Sequence, residues 1–298
     1  MTGTASETIA RPASKPTRPV LRWHGGKWKL APWIISHFPA HRVYVEPFGG
    51  AASVLLRKER SYAEVYNDLG QHVVGLFRIL RNEEQAAQLR RALELTPFAR
   101  TEFLAAYEAA DDAIEDARRL IIRAFMGHGS DSATGVVGGF RANSNRSGTT
   151  PAHDWANYPA ALPFTIERLR GVIIEQRDAV EVMQQHDATT TLHYVDPPYV
   201  HETRTWMTSG KGKGNYRHEL DDAGQARVLS ALRELDGMVI LSGYPHPSYD
   251  EALPDWRRVT TDAHADGARP RTEVLWLNPA CAAALEKERS QMSLFAAE

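Results

Sequence analysis

Leu192-His193-Tyr194-Val195-Asp196-Pro197-Pro198-Tyr199 reads as a short strand that ends abruptly on a carboxylate, two prolines and an aromatic ring. Three of the first four residues, Leu192, Tyr194 and Val195, are apolar or aromatic and suit a strand. Two successive prolines lack backbone N–H groups and hold φ near about −65°, so they stop the strand and stiffen the turn after it. The turn fixes Asp196, the Pro197 carbonyl and the Tyr199 ring just past the carboxyl end of a strand. Open α/β sheets bind their ligands there. One stretch therefore predicts both a sheet and the edge of a site.

Working outward, further β-rich runs occur at Val43–Val45, Ala63–Tyr66, Val172–Ile174, Met238–Leu241, Trp256–Thr260 and Val274–Leu277. Near-continuous apolar strands separated by helical patterns predict a mostly parallel sheet covered on both faces. His72–Leu80 carries Val73, Leu76, Phe77 and Leu80 at helical spacing, and Asp222–Leu235 carries Val228, Leu229, Leu232 and Leu235. The economical solution is an α/β doubly wound domain. The sheet pattern lapses between residues 82 and 165, where helices fit Glu83–Leu95, Pro97–Ala110 and Asp111–Met126. Gly127–Thr150 follows, too long and glycine-rich for an ordinary βα connection. The expected division is a flexible arm over 1–19, a catalytic domain over 20–81 and 165–288, an inserted, mainly helical subdomain over 82–164, and a flexible tail over 289–298.

Composition narrows the function classes. The chain has 298 residues, 43% hydrophobic and 24% charged, which fits a globular core and excludes a disordered or collagenous chain. No apolar run approaches the roughly 18 residues of a membrane span, and Met1–Val20 lacks the apolar segment of a secretory signal. The single cysteine, Cys281, permits no internal disulfide and no cysteine-based metal site, which points to a reducing cytoplasm. Twelve histidines form no paired metal-binding spacing, so no metal is expected. Net charge is −2, yet basic residues load the first thirty positions and the stretch Arg204, Lys211, Lys213 and Arg217. Local basic patches of this kind can meet phosphate.

Three more motifs belong with the first. Val43-Tyr44-Val45-Glu46-Pro47-Phe48-Gly49-Gly50-Ala51-Ala52-Ser53, followed by an apolar helix pattern, is a strand and glycine turn that opens backbone N–H groups to a ligand. Trp23-His24-Gly25-Gly26-Lys27 is glycine-rich but lacks the spacing and the Ser/Thr of a phosphate-binding P-loop. Tyr66-Asn67-Asp68 puts an acid at the end of the second strand, where doubly wound folds read a ribose.

In this order the four motifs resemble the Dam, or D12, class of adenine-specific DNA methyltransferases, in a phage-type form, over nearly the whole chain from Leu21 to Pro279. Arg271–Asn278 resembles the closing strand of that family. Ala51-Ala52 stands where many members carry a further glycine, a replacement tolerated at negative φ. The resemblance implies a Rossmann-like sheet that binds S-adenosylmethionine (AdoMet) as methyl donor, without metal, and an inserted target-recognition region. It implies that Trp23 and Lys27 cover the donor pocket and that Glu46 faces the methionine end. Phe48, Gly49 and Gly50 would line the donor, Asp68 accept from its adenosine part, Asp178 lie near its adenine ring, and Asp196 border it.

The chemistry such a reaction needs is consistent with the first stretch. The exocyclic N6 of adenine is a poor nucleophile and is buried in duplex DNA, so the base must be flipped out. Asp196 and the Pro197 carbonyl would accept hydrogen bonds from the amino group, aim its lone pair and favour the developing positive charge. Tyr199 would stack on the base. Double-stranded DNA would be met by Arg141, Asn143 and Arg146 in one loop and by Arg204, Lys211 and Lys213 in another. Gln291, Met292, Leu294 and Phe295 are similar to the short peptide with which bacterial DNA enzymes dock on the replication sliding clamp. Such an enzyme would work in the cytoplasm of a bacterium or a phage-infected host, in maintenance methylation or beside a restriction system. The alternatives are N4-cytosine methylation, a non-catalytic DNA- or clamp-binding module, and a methyltransferase acting on small molecules or proteins.

Overall fold

A computed structural model describes residues 15–129, 137–145, 148–199, 220–264 and 270–295. The strands are β1 (Val43–Glu46), β2 (Ala63–Asn67), β3 (Val172–Glu175), β4 (Thr191–Val195), β5 (Met238–Gly243), β6 (Arg257–His264) and β7 (Pro270–Leu277). They form one seven-stranded sheet in the order β3-β2-β1-β4-β5-β7-β6. The first five run parallel, with Val45 opposite Val65 on one side and His193 on the other. β7 enters antiparallel between β5 and β6, pairing Leu241 with Trp276 and Val259 with Leu275. β1 and β4 are neighbours although the chain first winds outward to β3 and only then returns. Their carboxyl ends are the switch point of the sheet, where a crevice opens.

The helices follow the apolar periodicity. α1 (Ala31–Ile35) precedes the sheet, and α2 (Gln71–Leu80) buries Val73, Val74, Leu76, Phe77, Ile79 and Leu80. α3 (Glu83–Leu95), α4 (Arg100–Ala105), α5 (Ala113–Met126), α6 (Pro151–Ala156) and α7 (Leu162–Leu169) occupy the region where the strand pattern lapses. α8 (Ala179–Gln185) links β3 to β4, while α9 (Asp222–Glu234) precedes β5 and α10 (Pro247–Ala252) follows it. α11 (Pro279–Phe295) closes the described chain. The helices between α2 and β3 have no separate core. Leu89 and Leu93 of α3 and Leu120, Ile121 and Ile122 of α5 pack into the same buried cluster as α2 and Tyr44 of β1.

Four local expectations are corrected. The helix expected over Pro97–Ala110 shrinks to α4, because the next carbonyls are taken by arginines of α5. Arg123 donates to the Ala106 oxygen, and Arg119 to those of Glu108 and Ala109. The apolar run after Ser53 is a series of tight turns rather than a regular helix. There the Leu55 N–H donates to the Glu46 carboxylate at 3.0 Å instead of to a helical carbonyl. The arm expected to be flexible through residue 19 is pinned from its described part onward. Arg18 lies over the rings of Phe125 and Tyr158, 5.3 and 5.2 Å from their centroids, and donates to the Asp154 carbonyl at 3.0 Å. Finally, the backbone expected to be a free tail from residue 289 stays helical to Phe295, since no glycine or proline interrupts it.

A buried ion cluster ties β2 to α7. Glu64 accepts from Arg168 through both oxygens, at 2.6 and 2.8 Å, and from Lys58 at 2.6 Å. Burial alone would raise the Glu64 pKa, but the two cations more than offset that, and it lies below its usual value. A second, partly buried pair joins His193 of β4 to Asp187 at 3.1 Å, and Asp187 also accepts from the Asp236 and Gly237 N–H groups ahead of β5. Burial pushes the His193 pKa down to about 4.

Candidate active site

The glycine turn after β1 is built by contact. A Cβ at Gly49 would lie 2.1 Å from Tyr66 Cε2, so only glycine lets the turn pass over the β2 tyrosine. The Tyr66 hydroxyl in turn donates to the Gly50 carbonyl at 2.6 Å, and the Gly49 N–H donates to the Asn67 carbonyl at 2.8 Å. Gly50 sits at φ +47, where a Cβ would press on the Trp23 indole at 3.0 Å. Ala52 is at φ +53. The condition under which alanine is tolerated, a negative φ, is not met at Ala52: the turn imposes a left-handed conformation on a residue with a Cβ, a cost of about 1 kcal/mol.

Asp68 receives this turn. One carboxylate oxygen accepts from the Gly50 N–H at 2.8 Å and the other from the Gly70 N–H at 2.6 Å. Buried Asn67 locks the neighbouring strand ends together, donating to the carbonyls of Pro47 and Arg177 at 2.9 and 3.0 Å and accepting from the Arg177 N–H at 2.9 Å. Glu46, at the end of β1, accepts from the Tyr44 hydroxyl at 2.8 Å and from the Leu55 N–H. Burial outweighs both bonds and pushes its pKa up to about 8, so the carboxyl is largely protonated at neutral pH.

Past β4, Asp196 meets Lys27 at 3.2 Å across the crevice. Lys27 also donates to the Tyr199 hydroxyl and to the Gly25 carbonyl, and its ammonium stands 4.7 Å from the Tyr199 ring centroid. The Tyr199 hydroxyl lies 3.1 Å from Asp196 and 3.2 Å from Glu273 of β7. Its ring packs edge-on against Tyr244, centroids 4.5 Å apart. Burial raises the Asp196 pKa, while Lys27, Tyr199 and Ser242 oppose the rise. Burial likewise raises that of Glu273, with Asp196 adding to the effect and Lys27 opposing it. From α9, Gln225 donates to the Pro198 carbonyl and holds the second proline of the turn.

These pieces surround one cavity of about 440 Å³, within the range of small-molecule sites. Trp23, Lys27, Glu46, Phe48, Gly49, Gly50, Asp68, Asp196, Pro197 and Tyr199 all line it, so nearly every residue expected at donor or target converges on one space. Asp178 does not line it, though its neighbour Ala179 does. The Asp178 carboxylate instead caps α8 and takes a bidentate bond from Arg227, both distances 2.8 Å. Among the residues expected at DNA, Arg141 donates to the Phe125 carbonyl at 3.1 Å, next to a bridge between Gly127 and Phe140. Asn143 is exposed and accepts from the Asn145 N–H at 2.9 Å. Arg146, Arg204, Lys211 and Lys213 lie outside the described residues, as do the side chains of Met292, Leu294 and Phe295.

Sequence reasoning gave no role to Glu273, Asn67 or Gln225. Each had a signal. Glu273 is an acid entering the apolar run Val274–Leu277, and Gln225 shares the helical face of Val228, Leu229 and Leu232. Asn67 lies between the tyrosine and the acid of Tyr66-Asn67-Asp68.

An α/β sheet with a glycine turn, an acid at the end of β2 and an Asp-Pro-Pro-Tyr turn around one cavity defines a methyltransferase-type architecture. The chain belongs to the D12 class of N6 adenine-specific DNA methyltransferases, whose family model matches residues 23–238. It is similar to the DNA adenine methylase of Vibrio cholerae serotype O1, 36% identical over 72 residues, which is 24% of this chain and 26% of that protein. It is also similar to the DNA adenine methylases of Serratia marcescens and Escherichia coli (strain K12), each 36% identical over 67 residues, 22% of this chain and 24% of those proteins. The matched stretch thus spans about a quarter of the length of these relatives. Membership of a methyltransferase family implies use of AdoMet. Among the described residues, no group of His, Cys, Asp and Glu could hold a metal ion, and no helix is long and apolar enough to cross a membrane.

Proposed function

We propose that the protein transfers a methyl group from AdoMet to N6 of a flipped adenine at specific sites in double-stranded DNA. The observation that carries this reading is the single cavity in which the Asp196–Tyr199 turn faces the Gly49–Gly50 turn and Asp68. AdoMet fits that cradle: close backbone approach at two glycines, an acid at the end of β2 for ribose hydroxyls, and a mixed apolar and carboxyl wall. It supplies an electrophilic sulfonium methyl when bound.

The chain's own residues do the rest. Gly49 and Gly50 admit the donor against the backbone, Asp68 holds the turn and accepts hydroxyl donors, and Trp23 and Phe48 wall the pocket. Asp196 and the Pro197 carbonyl accept from the target amino group, which points the nitrogen lone pair at the methyl and favours the charge that builds on nitrogen. Asp196 need not be a strong base, because the surplus proton leaves after the N–C bond forms. Tyr199 stacks on the extruded base, with its ring preset by Tyr244.

Residues 82–164 would read the DNA site, with Arg141, Asn143 and Arg146 as contacts, and the 203–218 stretch would follow the backbone through Arg204, Lys211 and Lys213. A maintenance or restriction-linked role in a bacterial or phage-infected cytoplasm fits this chemistry. Docking on a sliding clamp through Gln291–Phe295 would require the end of α11 to unwind into an extended peptide. Clamp binding to the tail that is unchanged by Leu294→Ala with Phe295→Ala would remove that idea.

The test is to incubate the protein with DNA and methyl-labelled AdoMet, digest the DNA to nucleosides and identify the labelled base. Labelled N6-methyladenine that is lost in Asp196→Ala is expected. Label on N4 of cytosine would overturn the base assignment, and no label on DNA of varied sequence would overturn the reading.

A further inference from the structure

The Tyr199 hydroxyl has one proton and two carboxylate neighbours. Its oxygen accepts from Lys27, which leaves the proton for either Asp196 at 3.1 Å or Glu273 at 3.2 Å. Asp196 is already met by Lys27 at 3.2 Å on the same oxygen, Oδ1. A phenol donates one hydrogen bond, so the two acids compete for it. If Asp196 kept the tyrosine hydrogen bond as well as those of Lys27 and Ser242, less of its carboxylate would remain to accept from the target amino group.

We propose that Glu273 is a positioning residue that accepts the Tyr199 hydroxyl hydrogen bond when the target base enters, fixing the tyrosine ring and freeing acceptor capacity on Asp196 for the amino group. This inference rests on the methyltransferase reading above. Three features support it. Glu273 is only 7% exposed, on the antiparallel strand β7, so it reaches the site from the far side of the sheet's switch point. Its neighbour Arg271 donates to the Tyr244 hydroxyl at 2.9 Å, so β7 braces both tyrosines at once. The arrangement also places two carboxylates against one ammonium, which makes the position of a single proton decisive.

Asp196 is faced by Lys27 from the loop before α1, Glu46 from β1, Tyr194 from β4, Tyr199 from its own turn, Ser242 from β5 and Glu273 from β7. Glu46 is largely protonated at neutral pH. Lys27 lowers the pKa of both Asp196 and Glu273, and Asp196 raises that of Glu273, so the two acids share the charge of one ammonium. Removing its negative charge makes Asp196 easier to ionise.

The experiment uses Glu273→Gln, which keeps shape and hydrogen-bonding capacity but not charge, and Glu273→Ala, each in the wild-type and Tyr199→Phe backgrounds. Glu273→Ala is expected to lower kcat by roughly 10- to 100-fold, with KM for AdoMet and for DNA within about threefold. In the Tyr199→Phe background the same change is expected to cost less than about twofold, because the hydroxyl through which it acts is gone. The Asp196 carboxyl, followed by isotope-edited infrared spectroscopy and assigned with Asp196→Asn, is expected to titrate about one unit lower in Glu273→Gln. Should Glu273→Ala fail to fold, the Glu273→Gln titration and its kcat–pH profile decide alone. Additive losses with Tyr199→Phe, an effect confined to KM, or an unmoved Asp196 titration would each overturn the proposal. A wild-type protein that methylates no DNA base overturns the methyltransferase reading and this proposal with it, whereas an active wild type with an indifferent Glu273 overturns this proposal alone.

Discussion

Two clusters in this molecule set buried carboxylates against cations in opposite ratios. At Glu64, two cations, Lys58 and Arg168, surround one carboxylate, and the pKa of the acid falls below its usual value. At Asp196, one cation, Lys27, faces two carboxylates, and burial leaves the pKa of both Asp196 and Glu273 raised. The first cluster has more donors than it needs and welds β2 to α7. The second has one cation for two acids, which on the methyltransferase reading leaves acceptor capacity for the target amino group. Buried charge is thus a structural device where it is over-partnered and a chemical one where it is under-partnered.

That contrast can be broken from either side. Arg168→Met leaves Glu64 with Lys58 alone and should cost about 3–5 kcal/mol of stability by denaturant unfolding. A loss under 1 kcal/mol would show that the first cluster is not structural. Gly49→Ala drives a Cβ into Tyr66, which is tethered to Gly50, and should cost about 1–3 kcal/mol and weaken AdoMet binding at least tenfold by calorimetry. Unchanged binding would mean that the turn is not the donor cradle.

Acid stability offers a third probe. The folded-state pKa of His193, about 4, lies below its unfolded value near 6.5, so the unfolded chain binds more protons in between. The contribution is present above pH 6.5 and is lost as pH falls toward 4. From pH 7 to pH 5 the wild type should lose about 2 kcal/mol more than His193→Gln, a comparison in which the carboxylates cancel. Equal losses would place the sensitivity elsewhere. The smallest effect is at the strained turn: Ala52→Gly should raise stability by roughly 1 kcal/mol, with the gain read from the unfolding midpoint.

Much of this architecture was legible because its signals are local. Strands such as Val172–Ile174 and Met238–Leu241 declare themselves by continuous β-branched and apolar residues, and β3 and β5 extend them by only one or two positions. The Asp-Pro-Pro-Tyr and Pro-Phe-Gly-Gly turns were legible because proline and glycine restrict or widen the backbone at fixed places. What escaped depends on distant partners. The end of α4 is set by arginines of α5, the turns after Ser53 by the Glu46 carboxylate, and the order of Arg18 by two rings far along the chain. Asp178 satisfied the motif by position, yet Arg227 of α9 engages its carboxylate. Glu273 was visible only as one acid beside four apolar residues, and its meaning appears once β7 inserts beside β5.

The most direct test sets the two clusters side by side: the single-turnover rate of methyl transfer from AdoMet to adenine in DNA, measured for Asp196→Asn and Glu64→Gln at a temperature where both are folded. Each change removes one negative charge and keeps the shape of the side chain. A loss of roughly 10²- to 10³-fold is expected for Asp196→Asn and a rate within severalfold of wild type for Glu64→Gln. Wild-type transfer by Asp196→Asn would contradict that expectation.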